Sequence, residues 1–497
     1  MPRHRLFAAA ALAAALPACT VTPRPMAAGE LDARARDVRA AATAGQEPVA
    51  GPIDLYEAMA RALKYNLDHR VEQLAQAVKD RELELSSWDM LPQVVASGGY
   101  FGRSNQAGAS SLSLLTRRQS LEPSTSTDRD VAAGDLTLSW DVLDFGLSYV
   151  RARQKADAAL VAAEERRKVS NRILEDVRTA YYRAVSAQRL LAKLTELQGA
   201  IGRTLDDSER LAERRNAPPL IALTYQRELI EIEAQVKQLG RELQIAKAQL
   251  AALMNLEPGT PYELVLPPRE AELPRVALDA DAQVMAALAN RPELRQLGYQ
   301  GRINRRDLDA QILQAFPSLK GFAGVNADSN GFLFNNGWAQ YGARASFNLL
   351  NVFRLGDAKK AVRAQGGLIR ARELATAMAV MTQVAVARAR LGLFSSELDT
   401  ARHQHAVQAK IMRQIAGGHR AGTVSGQTLL REQMNTLVSE VRYDIAYADA
   451  QNAYANLHAA MGMDGFEPDA ARTGGVAALA ASLKRLWAER ERTGEGE

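Results

Sequence analysis

The residues whose types could do chemistry are few and poorly spaced for it. His403 and His405 lie two apart, so on a helix they face different ways and cannot chelate one metal. His419 and Arg420 fall near an expected helix end, where cations suit the exposed carbonyls and capping is the simplest role. Tyr181, Tyr182, Tyr443 and Tyr447 have the spacing of packing residues. No glycine-rich phosphate loop, no G-x-S-x-G and no plausible Ser/His/Asp set occurs, so neither an enzyme nor a cofactor or metal site is expected. The single cysteine excludes an intrachain disulfide. That residue, Cys19, ends the run L-P-A-C behind a basic start (Arg3, His4, Arg5) and an apolar stretch too short to span a bilayer as a helix. The arrangement has the form of a bacterial lipobox, cut before Cys19 with acylation of its thiol. An ordinary signal peptide with an incidental cysteine is the alternative.

The elements that must position any function are built around residues 135–216. The stretch opens as a strand, with Leu136, Leu138, Trp140 and Val142 on one face and Asp135, Thr137, Ser139 and Asp141 on the other. Such alternation suits a sheet on a core, and equally a barrel in lipid with a polar interior. After D-F-G (residues 144–146) no proline occurs until Pro218, which predicts a helix of roughly 70 residues, about 100 Å long. Few globular domains have use for such a helix. The chain is rich in Ala, Leu, Arg, Glu and Gln, and its net charge of +5 is small and interspersed, which argues against a nucleic-acid surface. After the signal, no segment has the roughly 20 consecutive apolar residues of a spanning helix. A membrane could be crossed only by strands.

In order, the sequence divides into a signal peptide (1–18), a lipid-anchored extended tether (19–52), a first unit (53–256), a connector (257–278), a second unit (279–463) and a tail (464–497) with one short amphipathic helix around Leu483 and Trp487. In the first unit a helix capped by Asp54 runs to Pro92, then come a strand over 93–102, a polar loop, the strand and long helix described above, and a further helix over 220–256. The second unit repeats the order: a helix over 279–315, strands over 318–327 and 339–349, a long helix over 355–419 and a last helix to 463. Tyr341 and Phe347 share the apolar face of the last strand. Leu63 and Leu288, like Pro92 and Pro317, lie 225 apart, whereas Ser139 and Ser346, Leu250 and Leu457, and Met254 and Met461 lie 207 apart. The difference of 18 falls in the loop between the first two strands, where duplicated architecture tolerates it. Leu190, Leu194, Leu197, Ile201 and Leu205 form a near-heptad seam, which predicts antiparallel coiled-coil packing.

Four strands cannot close a barrel alone, and open edges are not tolerated in lipid. Two chains would give eight strands, whose interior fills with side chains; three give twelve and leave a lumen. If the strands face lipid, the assembly is a trimer.

With these features the chain resembles the TolC-like outer-membrane efflux proteins in their lipid-anchored form. The resemblance covers residues 54–463. It is carried by the duplicated helix–strand–strand–helix–helix unit, by S-W-D-V-L-D-F-G (139–146) and S-F-N-L-L-N (346–351) leading into long helices, and by A-G-T (421–423). It implies a mainly α fold with a small β part: a homotrimeric 12-stranded outer-membrane β-barrel, four strands per chain, on a long antiparallel coiled-coil α-helical tunnel. It also implies a passive exit duct in outer-membrane lipid, served by a periplasmic adaptor and an inner-membrane transporter. The turns after the two long helices would form the periplasmic tip that adaptors contact. They contain Asn216 and Ala217 in the first unit and Ala421, Gly422 and Thr423 in the second; Asn216 stands where glycine is usual. Acidic residues often ring the constriction just after the second turn, but the matching positions are Thr428 and Arg431. Glu432 is adjacent, yet neighbouring helical residues point about 100° apart, so Arg431 and Glu432 cannot both line a pore. A ring of arginines would favour anions; Arg431 on a solvated or interhelical face is the alternative. A lipid-anchored coiled-coil scaffold without a pore is the rival function. The substrate, small molecule or polypeptide, is not legible.

Overall fold

The structure, a computed structural model, describes residues 23–120, 122–213, 219–269, 276, 278–463 and 474–495. Cys19, Asn216 and Ala217 lie outside the described residues. An N-terminal helix α1 (Ala28–Ala42) buries none of its residues. The extended tether expected here is therefore partly helical, as its alanine-rich composition allows. There follow α2 (Leu55–Tyr65), α3 (Leu67–Trp88), β1 (Gln93–Gly102), β2 (Asp130–Asp141), α4 (Val142–Glu213) and α5 (Pro219–Leu253). The order then recurs as α6 (Ala280–Asn290), α7 (Pro292–Leu313), β3 (Ser318–Asp328), β4 (Gly337–Ser346), α8 (Leu349–Arg420) and α9 (Gly426–Ala460), and the chain ends in α10 (Val476–Glu495). The two longest helices each have 72 residues, or ~110 Å at 1.5 Å per residue.

Two helices expected to be continuous are each broken once. Asn66 leaves the helical region (φ −62°, ψ 127°), and its side chain accepts hydrogen bonds from the amides of Asp68 and His69, starting α3 afresh. Arg291 does the same (φ −63°, ψ 130°) because Pro292 excludes helical geometry from the residue before it and then serves as the first residue of α7. The breaks let the short helices stack on others. Asn66 Nδ2 donates to Leu253 O at the end of α5, and Arg291 Nη1 donates to Ala459 O at the end of α9. Each stacked pair then runs beside a long helix, giving a single layer ordered α8, α7 over α9, α4, α3 over α5. At the second junction Gly462 adopts φ +66°, and a Cβ there would lie 2.7 Å from the Asn290 carbonyl carbon, so the close approach requires glycine.

Strand and helix ends also shift. Asp141 closes β2 and caps α4 through Oδ1, which accepts from the amides of Leu143 (2.9 Å) and Asp144 (3.3 Å). Val142 and D-F-G are thus the first turns of the helix rather than strand and turn. Asn348 caps α8, so Phe347 lies just beyond β4. An aspartate or asparagine at a strand end is a helix start, a signal that the strand alternation masked.

The seam Leu190, Leu194, Leu197, Ile201 is buried against Leu229, Ile232 and Val236 of α5 and Leu430, Met434, Leu437 and Val441 of α9, with Leu205 packed at its end. A second core forms where Ile53 bridges Leu264 of the connector. There α2, α4 and the inner face of α10 (Val476, Leu479, Leu483) meet.

His69 is buried just after the α2–α3 break, and its Nδ1–H donates to Leu63 O at 2.6 Å. Burial lowers its pKa from the ordinary 6.5, offset in part by that hydrogen bond. The unfolded chain therefore binds this proton more readily. The contribution of His69 is complete above the ordinary histidine pKa and is lost as pH falls toward the depressed folded value. Urea unfolding of the wild type is expected to weaken on acidification from pH 7 more steeply than that of His69→Gln.

Candidate functional site

The four strands form one antiparallel sheet in the order β1-β2-β3-β4, which among the described residues leaves β1 and β4 as open edges. The register sorts the side chains by face. Leu136 lies opposite Ala96 and Val325, and Val325 opposite Ala339; Leu138 lies opposite Val94 and Ala323, and Ala323 opposite Tyr341. On the other face Asp135 lies opposite Ser97 and Asn326, Thr137 opposite Gly324, Gly324 opposite Gln340, and Lys320 opposite Asp141 and Arg344. The Asp135 carboxylate accepts from Ser97 Oγ and Thr137 Oγ1 along that polar face. Leu136, Leu138 and Trp140 are each about half exposed, and Tyr341 is 87% exposed. The apolar face has no cover among the described residues. Exposed Trp88, Phe316, Trp140, Phe145, Phe347 and Phe353 cluster at the helical end of the sheet, and exposed Tyr100, Phe332 and Phe334 at its loop end, where Phe101 (opposite Val131) and Trp338 (opposite Asn326) fall on the polar face instead. An apolar band between two aromatic belts is the arrangement of strands that cross a bilayer.

Among the described residues the flanks of the helical layer are uncovered too. Leu374, Met378, Val386, Leu393 and Val407 stand exposed on α8, and Val71, Leu74, Val78 and Leu85 on α3 at the opposite flank. Within α8 one 18-residue stretch is long and apolar enough to pass for a spanning helix, unlike the sequence expectation, and only 11% of it is buried. It occupies the middle of an otherwise charged helix. Its exposed side faces away from α9, as an association surface does.

At the far end of the layer, the turn between α8 and α9 is a closed capping motif. Thr423 N donates to Gly418 O (2.9 Å) and Gly422 N to His419 O (3.0 Å), with Gly422 at φ +74°. Ala421 ends α8, and Ser425 Oγ accepts from Thr428 N to start α9, with Thr428 Oγ1 2.9 Å from the same hydroxyl. Arg431 ion-pairs with Glu228 of α5, and Glu432 accepts from Gln408 Nε2 of α8 at 2.7 Å. The two adjacent residues therefore point to opposite neighbours. His403 bonds Asp399 O within its own helix, whereas His405 turns to Ser439 and stacks on Tyr443. His419 bonds Val424 O across the turn.

Sequence reasoning missed a buried ionic node above the tip. The Asp444 carboxylate of α9 accepts from Arg189 of α4 at 2.9 Å, from Arg269 of the connector at 2.5 Å and from Ser186 Oγ at 3.2 Å. Glu440 extends it to Lys193 (2.9 Å) and to Arg269 (3.6 Å). A signal was present: Asp444 continues the spacing of Leu430, Met434, Leu437 and Val441, where an apolar residue belongs.

No known family profile matches the chain, and no characterised protein matches it by sequence. Solved structures do. The Campylobacter jejuni CmeC outer-membrane channel aligns at a TM-score of 0.65 and 13% identity over 87% of this chain and 89% of its own. CusC, described as forming a transmembrane channel, aligns at 0.62 and 15% over 84% and 95%. The open state of the Neisseria gonorrhoeae MtrE outer-membrane channel aligns at 0.58 and 18% over 82% and 88%. The likeness is one of fold across nearly the whole length of each. This chain is built as outer-membrane channel proteins are built, the architecture that its sequence resembles.

Proposed function

We propose that the chain is one protomer of a trimeric outer-membrane exit duct, lipid-anchored through Cys19. In this reading it passively conducts substrates delivered by an inner-membrane transporter and a periplasmic adaptor, in a tripartite efflux or type I secretion system. The observation that carries this reading is the four-stranded sheet, apolar on one face and open at both edges, mounted on helices ~110 Å long. Three copies, each made of two helix–strand–strand–helix–helix units, would pair β1 with β4 of the next chain and close a twelve-stranded barrel, removing every edge from lipid. The same closure would bring the exposed flank of α8 against the α3 flank of a neighbour. A coiled-coil scaffold has no use for such a sheet, and the fold neighbours named above are channels.

In the assembled duct Ala421, Gly422 and Thr423, together with Asn216 and Ala217, would face the adaptor. Thr428, Arg431 and Glu432 would lie by the constriction. The Arg431–Glu228 pair joins α9 to α5 close to that point and is half exposed, so its loss changes folding by at most about 1 kcal/mol. Arg431→Ala is expected to alter single-channel conductance and the cation/anion permeability ratio of the purified oligomer while leaving assembly intact. Unchanged values would remove Arg431 from the constriction. The duct itself is tested by size and conductance: a heat-resistant detergent trimer that conducts ions is expected.

A further inference from the structure

The described residues of the loop between β1 and β2 fold back as a hairpin. Ala109 pairs with Ser124 and Leu112 with Gln119, and the tip closes through Ser113 N to Arg118 O at 2.9 Å. Its base is clamped to the β3–β4 turn: buried Asn330 accepts from Asp128 N (3.0 Å) and donates to Ser126 O (3.0 Å), and Ser329 Oγ accepts from Ala132 N (2.8 Å). Yet the tip itself is apolar and bare. Leu114 is 82% exposed and Leu115 is 96% exposed. One residue further on, after Thr116, come Arg117 and Arg118, which have no ion-pair partner among the described residues. From Arg103 to Ser120 the sequence holds three arginines and no acidic residue.

We propose that this tip docks on an anionic phosphate surface of the outer leaflet, with Arg117 and Arg118 on lipid phosphates whose charge no choline neutralises and Leu114 and Leu115 in the upper acyl layer. The inference rests on the membrane reading of the sheet given above. Three observations favour lipid over another occupant. The hairpin rises from the end of the sheet marked by Tyr100, Phe332 and Phe334, the level at which an aromatic belt meets headgroups. Paired arginines match phosphate, and apolar side chains beside them match the interface beneath it. Convergence of several tips on one axis would bring like charges together with no carboxylate in the hairpin tip to offset them.

The test uses the full chain with Cys19→Ser, labelled at Leu115→Cys with an environment-sensitive dye, in phosphatidylcholine vesicles with or without lipid A. A second chain labelled at Leu136→Cys reports on the sheet. The expected result is quenching of the Leu115 label by brominated acyl chains when lipid A is present, and loss of that quenching with Arg117→Glu and Arg118→Glu. Quenching of the Leu136 label alone, with the tip open to aqueous iodide in both vesicles, overturns the docking and leaves the duct reading standing. Lipid quenching indifferent to the arginines overturns phosphate recognition, and efficient disulfide formation between Leu115→Cys chains assigns the tip to a second copy. A Leu136 label untouched by lipid removes the membrane reading and this inference with it.

Discussion

Asp444→Ala is expected to destabilise the protein by roughly 3–5 kcal/mol, the usual cost of stripping one partner from a buried charge pair. The Asp444 side chain is 5% exposed, and those of Arg189 and Arg269 are 16% and 17% exposed. Among the described residues, removing the carboxylate leaves Arg189 with only the Pro267 carbonyl as acceptor and Arg269 with only its 3.6 Å contact to Glu440, both largely away from water. One acceptor also joins three segments here: α4 through Arg189, α9 through Asp444 and the connector through Arg269. The Arg269 guanidinium lies 5.0 Å from the centre of the Tyr443 ring, so its position is fixed from that side as well. Urea unfolding followed by helical circular dichroism should show a lower midpoint with an unchanged slope. Asp444→Asn, which keeps an acceptor for Ser186 and one arginine, should lose less. A change below about 1 kcal/mol for Asp444→Ala would mean that the node is solvated like a surface pair.

A comparable effect is expected in the sheet, and its size depends on the face. Leu136 lies at the middle of β2, opposite Ala96 and Val325 on the apolar side. If that side meets lipid, Leu136→Arg costs about 2–4 kcal/mol in each chain. Three chains in one barrel multiply that cost, so membrane-inserted oligomer should be nearly abolished. Gln340→Arg places the same group on the polar face, opposite Gly324. It should insert normally and change only ion selectivity. The yield of heat-resistant oligomer in the outer-membrane fraction compares the two directly. Equal tolerance of both arginines would contradict the assignment of the faces.

Much of this architecture was legible because its determinants are local and periodic. Alternation at Leu136, Leu138 and Trp140 placed the strand and its apolar face, and the heptad steps from Leu190 to Ile201 placed a seam that is buried along its length. Proline-free runs gave the long helices to within a few residues. The breaks at Asn66 and Arg291 were not foreseen, although Pro292 and the cap at Asn66 were visible in the sequence, because the continuous helical pattern on either side outweighed a single residue. Val142 and Phe347 were assigned to strands because alternation carries on past a strand end, whereas Asp141 and Asn348 end it by capping the next helix. The candidate site was less legible still. That Arg431 meets Glu228 is a matter of how α9 lies against α5, 203 residues apart in the sequence, and no local pattern encodes it. The node at Asp444 likewise joins segments that only the folded layer brings together, although its place in an apolar seam was a usable sign.

The measurement that bears most directly on the central claim is planar-bilayer conductance of the purified detergent oligomer, with its cation/anion permeability ratio. The exit-duct account predicts a trimer that inserts and conducts in discrete steps, with a selectivity that Arg431→Ala shifts. A well-folded monomer that neither inserts nor conducts would contradict it and return the chain to the scaffold reading.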